Sequence, residues 1–120
     1  MLVDDLELSI NWNIEEIVMT ETFESLENSV LTWARDKGIM AKALPANQYK
    51  KHVEEVGELG EALILDNRDE IIDAIGDVLV TLIILARLKG LSPTDCLLSA
   101  YKEIAGRTGK MVDGVFVKDK

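Results

Sequence analysis

Residues 69–90 read DEIIDAIGDVLVTLIILARLKG, and the change of character along them constrains the fold more than any other stretch. At helical spacing, Glu70, Asp73 and Asp77 of the first half fall within about 60° of one another. From Val78 to Leu85 the segment is apolar almost all round, interrupted only by Thr81. A helix apolar on every side has to be buried on every side. The run is too short to cross a bilayer. Other helices must therefore surround it, and four short ones from a single copy struggle to do so. Self-association is expected.

Local signals divide the rest into helices. The first spans Thr22 to Lys37, with Phe23, Leu26, Val30, Trp33 and Ala34 on one stripe and Gly38 as the stop. Pro45 and Asn47 open a second helix over 46–65, whose core-facing stripe reads Val56, Leu59 and Leu63. His52 lies near that stripe and reads as a hydrogen-bonded core residue. Asp66 and Asn67 form a tight turn, so the second and third helices are antiparallel neighbours. The third ends at Gly90. Ser92 and Pro93 start a fourth that fades at Gly106, followed by a glycine-bearing loop and tail.

The first 19 residues differ. Leu6, Leu8, Ile10, Trp12 and Ile14 alternate with polar residues at a strand-like period of two. They read as an extended or irregular arm, and the one other β-flavoured stretch is Val115, Phe116 and Val117. The expected architecture is all-α: a four-helix bundle over 20–120 that oligomerises, preceded by an N-terminal arm over 1–19.

Charge narrows the partners. Against 13 basic residues stand 22 acidic ones, a net charge of −9 in 120 residues. That balance disfavours nucleic acid and anionic membranes, but not a phosphorylated ligand carried with a divalent metal. Cys96 stands alone, which excludes an intrachain disulfide. The acidic start MLVDDLELS lacks the order of a secretion signal, so a cytoplasmic protein is expected.

Acidic residues also crowd the second helix, where HVEEVGELGEAL holds Glu54, Glu55, Glu58 and Glu61 within eight positions. Like charges at this spacing destabilise a helix. Alone, the pattern is a solvated face. Its neighbour across the Asp66 turn is the acid-rich half of the third helix, so Glu55, Glu58, Asp73 and Asp77 can converge in a cleft. Four facing carboxylates need a counter-ion. A hard divalent cation, Mg²⁺ with Mn²⁺ as a possible substitute, takes such oxygens and keeps positions open for water and phosphate. Gly57 and Gly60 add weight, because each costs about 1 kcal/mol in a helix interior relative to Ala. Close approach of another helix or a ligand would explain them.

HVEEVGELGEAL followed by DEIIDAIGDVLVTLIILARLKGL resembles the MazG-type, all-α nucleoside triphosphate pyrophosphohydrolases, and most of all their short single-domain forms common in bacteria and phages. The resemblance covers about residues 26–118. It implies Mg²⁺ held by a carboxylate cluster, cleavage of an NTP or dNTP to a nucleoside monophosphate and pyrophosphate, and a homodimer or homotetramer. It implies Glu55 and Glu58 as metal ligands and Glu54 as the leading carboxylate that orients or deprotonates water. Asp77 matches the terminal Asp of the second motif. The usual Glu three residues earlier is Ala74 here, and Asp73 is the expected replacement, with Glu70 a turn further back.

A metal-bound triphosphate also needs cations or amide donors. Lys51 and Gln48 flank the acidic stripe, and Lys102, Arg107 and Lys110 cluster around the end of the fourth helix. Lys118 and Lys120 read as solubility charges. Trp33 is the candidate for stacking on a base. The expected function is Mg²⁺-dependent NTP or dNTP pyrophosphohydrolysis in nucleotide-pool house-cleaning. Alternatives are a non-catalytic helical interaction module, a nucleotide sensor, and a phosphoribosyl-ATP pyrophosphohydrolase of the same fold.

Overall fold

The computed structural model describes residues 20–120, and the arm expected over 1–19 lies outside them. The chain divides after Lys42 into two compact units. The first holds helices α1 (Phe23–Asp36) and α2 (Ile39–Lys42), which pack on each other. Thr22 caps α1 through a reciprocal bond with Ser25, satisfying donors the first helical turn leaves open. Gly38 ends it at φ +82. The one-turn α2 was not foreseen in the sequence. The stripe expected on α1 is only partly inward: Ala34 is buried, with Glu27 and Leu31, while Phe23, Leu26 and Trp33 are about half exposed.

The second unit holds α3 (Pro45–Leu65), α4 (Arg68–Leu88), α5 (Pro93–Ile104) and two antiparallel strands, β1 (Gly109–Val112) and β2 (Val115–Lys118). Helices α3 and α4 form an antiparallel hairpin. Asp66 ends α3 in the left-handed region at φ 53, and Asn67 caps α4 by accepting the Glu70 N–H at 3.1 Å. Ser92 caps α5 in the same way, accepting from Asp95 at 3.2 Å. The helical expectation holds over the described residues.

The expected loop after α5 is instead a β-hairpin. Its turn is Asp113 and Gly114 at φ 51 and 82, the two-residue geometry whose twist suits antiparallel strands. Lys110, placed by sequence in a loop, sits on β1 opposite Val117. Thr108 and Asp119 close the open end, the Thr108 hydroxyl donating to the Asp119 carboxylate at 2.7 Å.

The core of the second unit follows one seam. On α3 it uses Gln48, His52, Glu55, Leu59 and Ala62, spaced four, three, four and three apart, which keeps one face toward a partner helix. Ala74, Thr81 and Ile84 are buried on α4, with Ile83 beside them. Val56 and Leu63, expected inward, are exposed. The apolar run is likewise covered on one side only, with Leu79 and Leu82 more than 40% exposed. Among the described residues, none after Ile84 is buried. No helix of the described residues is long and apolar enough to cross a membrane.

Candidate active site

The α3–α4 seam is polar through its middle. The Gln48 side-chain amide, buried, donates to the Thr81 carbonyl at 3.2 Å. His52 Nδ1 lies 2.9 Å from Thr81 Oγ1. That hydroxyl also sits 3.1 and 3.0 Å from the Asp77 and Val78 carbonyls. A hydroxyl has one proton to give, and carbonyls only accept. With it directed there, the ring nitrogen is the donor, so His52 carries hydrogen on Nδ1. Both side chains of α3 are thus held by the seam, as expected for His52. Gln48, expected to touch substrate, has its amide engaged away from the groove described next.

One turn further along α3, Glu55 is buried on the seam and bonds to Asp77 of α4. Lys51 stands over it, Nζ 3.4 Å from Glu55 Oε2 and 3.8 Å from Glu54 Oε1. The Lys51 ammonium is held above its usual range by its hydrogen bond to Glu55, then by the charges of Glu55 and Glu54. Beyond Glu55, toward the Asp66 turn, the helices leave a groove of about 440 Å³. Glu58 and Glu61 line it from α3, and Glu70, Asp73 and Asp77 from α4. Ala62 and Ala74, both buried, also line it. Their short side chains leave room that a larger residue would fill.

No lysine or arginine lines this groove. The Asp77 carboxyl is pushed above the ordinary 3.8 by loss of water around it, then by the charges of Glu55 and Asp73 and a hydrogen bond to Glu55, with the nearby Lys51 charge acting the other way. Burial leads these causes although the residue as a whole is exposed, so the shift is best read as a crowding of carboxylates at the groove head. When protonated, Asp77 is the donor to Glu55.

Of the metal ligands expected from sequence, Glu58, Asp73 and Asp77 share the groove and Glu55 reaches it through Asp77. Glu54 is exposed, beside Lys51 and outside the groove lining. Among the described residues, no three acidic, histidine or cysteine side chains are drawn together closely enough to hold a metal as they stand. The donor set nevertheless fits a hard divalent cation in kind, being carboxylate oxygen from two facing helices, with Lys51 beside Glu55 as the one basic side chain paired with it among the described residues. Glu61 and Glu70 line the groove without having been placed among the ligands. Their signal was available: Glu61 is three residues after Glu58, and Glu70 three before Asp73, on the same faces.

The remaining candidates lie elsewhere. Lys102 and Arg107 share an open depression of about 660 Å³ with Lys118 and Lys120, and Lys110 does not line it. Trp33, in the first unit, is half exposed beside a shallow hollow with Ser29, Thr32 and Asp36. Gly57 and Gly60 meet nothing within 4 Å where a Cβ would stand. Close approach of another helix among the described residues therefore does not explain them.

Residues 19–102 match the family described as phosphoribosyl-ATP pyrophosphohydrolase (PRA-PH), a stretch that contains both groove helices. An uncharacterized 18.2 kDa protein of the rep-hol intergenic region of Haemophilus phage HP1 (strain HP1c1) is 34% identical over 64 residues. The similarity covers 53% of this chain and 39% of the phage protein. No solved structure matches the chain. The acid-lined helical hairpin thus has its counterpart in a known group, and the chain belongs to the phosphoribosyl-ATP pyrophosphohydrolase family, relatives of the MazG-like all-α NTP pyrophosphohydrolases.

Proposed function

We propose that this pyrophosphohydrolase uses a divalent cation, Mg²⁺ or Mn²⁺, to hydrolyse nucleoside or deoxynucleoside triphosphates to the monophosphate and pyrophosphate, as a nucleotide-pool house-cleaning activity. The observation that carries this reading is a groove lined, among the described residues, by five carboxylates and no basic residue, with Lys51 at its head. Such a surface repels a bare triphosphate and accepts one that arrives with metal. Glu55, Glu58, Asp73 and Asp77 would hold the ion. When bound, it neutralises phosphate oxygens and polarises the phosphorus under attack. Glu54 orients or deprotonates the attacking water, and Lys51, at the groove head, meets the phosphates. Lys102 and Arg107 are further phosphate contacts, Lys110 a weaker one, and Trp33 a stacking surface for the base. The exposed apolar side of α4, at Leu79 and Leu82, is covered by a second copy in a homodimer or homotetramer.

A second reading is favoured by the family match: the substrate is phosphoribosyl-ATP, which offers the same triphosphate to the groove. One panel separates the two. Each NTP and dNTP, and phosphoribosyl-ATP, is incubated with Mg²⁺ and the product identified as pyrophosphate or phosphate. Turnover confined to phosphoribosyl-ATP would replace the first reading with the second. Release of phosphate instead of pyrophosphate, or no turnover with any of them, would overturn both.

A further inference from the structure

Glu55 is unlike its fellow carboxylates in already having a cation. Its side chain is only 9% exposed, and a buried carboxylate is costly without a partner. Lys51, one turn earlier on α3, supplies it while remaining 58% exposed. The same ammonium reaches Glu54, so it straddles two carboxylates of the first acidic motif. Glu58 and Asp73, deeper in the groove, have no such partner among the described residues. The pair is therefore unequal: the anion is fixed in the seam, and the cation can swing into water without disturbing any packing.

We propose that Lys51 is a resident counter-ion, holding Glu55 in the metal-free protein and giving way when a divalent ion enters the groove. This rests on the metal reading above. Lys51 can satisfy two carboxylates, whereas a divalent ion can gather oxygens from both helices and carries twice the charge. Exchange draws Glu55 off the ammonium and toward Glu58, Asp73 and Asp77. The freed Lys51 then keeps only the exposed Glu54 beside it and is placed for an incoming phosphate. Lys51 is on this account a positioning residue in the free protein and a phosphate contact in the loaded one.

The test is calorimetric titration of the full chain with Mn²⁺ at one fixed pH, for the natural sequence, Lys51→Met, Lys51→Arg and Lys50→Met. Lys50 is the adjacent exposed lysine and controls for the general effect of removing one positive charge. Lys51→Met should bind Mn²⁺ on the order of 3- to 10-fold tighter, Lys50→Met should change affinity by less than about twofold, and Lys51→Arg should restore the weaker binding. In the natural protein, Mg²⁺ should shift the Lys51 ε-methylene NMR signals. Lys51→Met should also raise KM for the triphosphate despite tighter metal binding, a split that a merely structural lysine would not give. Equal tightening in Lys51→Met and Lys50→Met, or weaker Mn²⁺ binding in Lys51→Met, overturns the exchange while leaving the metal site standing. Absence of Mn²⁺ binding in every variant overturns both.

Discussion

Among the described residues, two hairpins turn on an aspartate at positive φ. Asp66 at φ 53 joins α3 to α4, and Asp113 at φ 51 joins β1 to β2. There the likeness stops. The helical hairpin buries a seam along its length, and the groove opens where that seam runs into short side chains and acids. The β-hairpin has no buried residue; Met111 and Val115 are more than 60% exposed and Phe116 about half. Isolated two-stranded hairpins are marginal in water. The lesson is that a turn sets connectivity, while a buried seam decides where polar groups can be held in one geometry. Only the helical hairpin has what a site requires.

The largest expected effect strikes the helical side. Glu55→Gln should lower pyrophosphate release on the order of 100-fold at saturating Mg²⁺, because the proposed metal ligand held in the seam is removed while its shape is kept. Asp73→Asn should act similarly if it replaces the Glu usual at position 74. Glu70 also lines the groove but is in the first turn of α4, where an acid is favourable in any case. Activity lost in Glu70→Gln and kept in Asp73→Asn would move the ligand one turn earlier. Circular dichroism melts of each variant separate loss of chemistry from loss of fold.

On the strand side, Gly109→Ala should break the β-hairpin alone. A Cβ there would press on the Val117 carbonyl, the Phe116 ring and the Lys118 backbone. Overpacking of this kind costs roughly 1–3 kcal/mol, enough to open a marginal element. Amide exchange should lose protection at Lys110 and Val117, a hydrogen-bonded pair of the ladder, and keep it along α3 and α4. If the α3–α4 amides lose protection as well, the two hairpins are coupled and the contrast between them fails.

The same contrast explains what the sequence disclosed. Helix ends were legible because their signals are local: Thr22, Asn67 and Ser92 each satisfy a backbone donor within three residues. The acidic faces were legible because facing helices joined by a tight turn must bring them together. The seam itself was read out of phase. Hydrophobicity pointed to Val56, Leu59 and Leu63, whereas the buried positions include Gln48, Glu55 and Ala62, chosen by polar satisfaction and small size. The β-hairpin was missed although Asp113-Gly114 between Met111-Val112 and Val115-Phe116-Val117 is a strong short-range signal.

Gly57 and Gly60 offer a gentler probe of the helical hairpin. Open space surrounds both within the chain, and neither has positive φ. Gly57→Ala and Gly60→Ala should therefore each stabilise the isolated chain by about 1 kcal/mol in a denaturant titration. A loss of stability at either position, above all one that depends on protein concentration, would mean that another molecule approaches α3 there. Light scattering on the same samples would show whether that molecule is a second copy.

The smallest effect is a pH dependence confined to the groove head. The Asp77 carboxyl titrates above its ordinary 3.8 in the folded chain, through loss of water and the charges of Glu55 and Asp73. A raised carboxyl pKa means the folded state binds the proton more tightly than the unfolded state. The stability this adds is complete below 3.8 and is lost as pH rises through the higher folded value. Above that, ionised Asp77 faces ionised Glu55 and Asp73, and the hairpin carries their repulsion. Without metal, Asp77→Asn should therefore raise the melting temperature slightly at pH 7 and much less at pH 4. Added Mg²⁺ should reverse the order at neutral pH, since the natural carboxylate then gains a cation that asparagine binds poorly. The carboxylates of the β-hairpin, Asp113 and Asp119, should show no counterpart: replacing either by Asn should leave the Mg²⁺ response of the melt unchanged. A Mg²⁺ response that disappears with Asp119→Asn and survives Asp77→Asn would place the ion at the wrong hairpin for the groove described here.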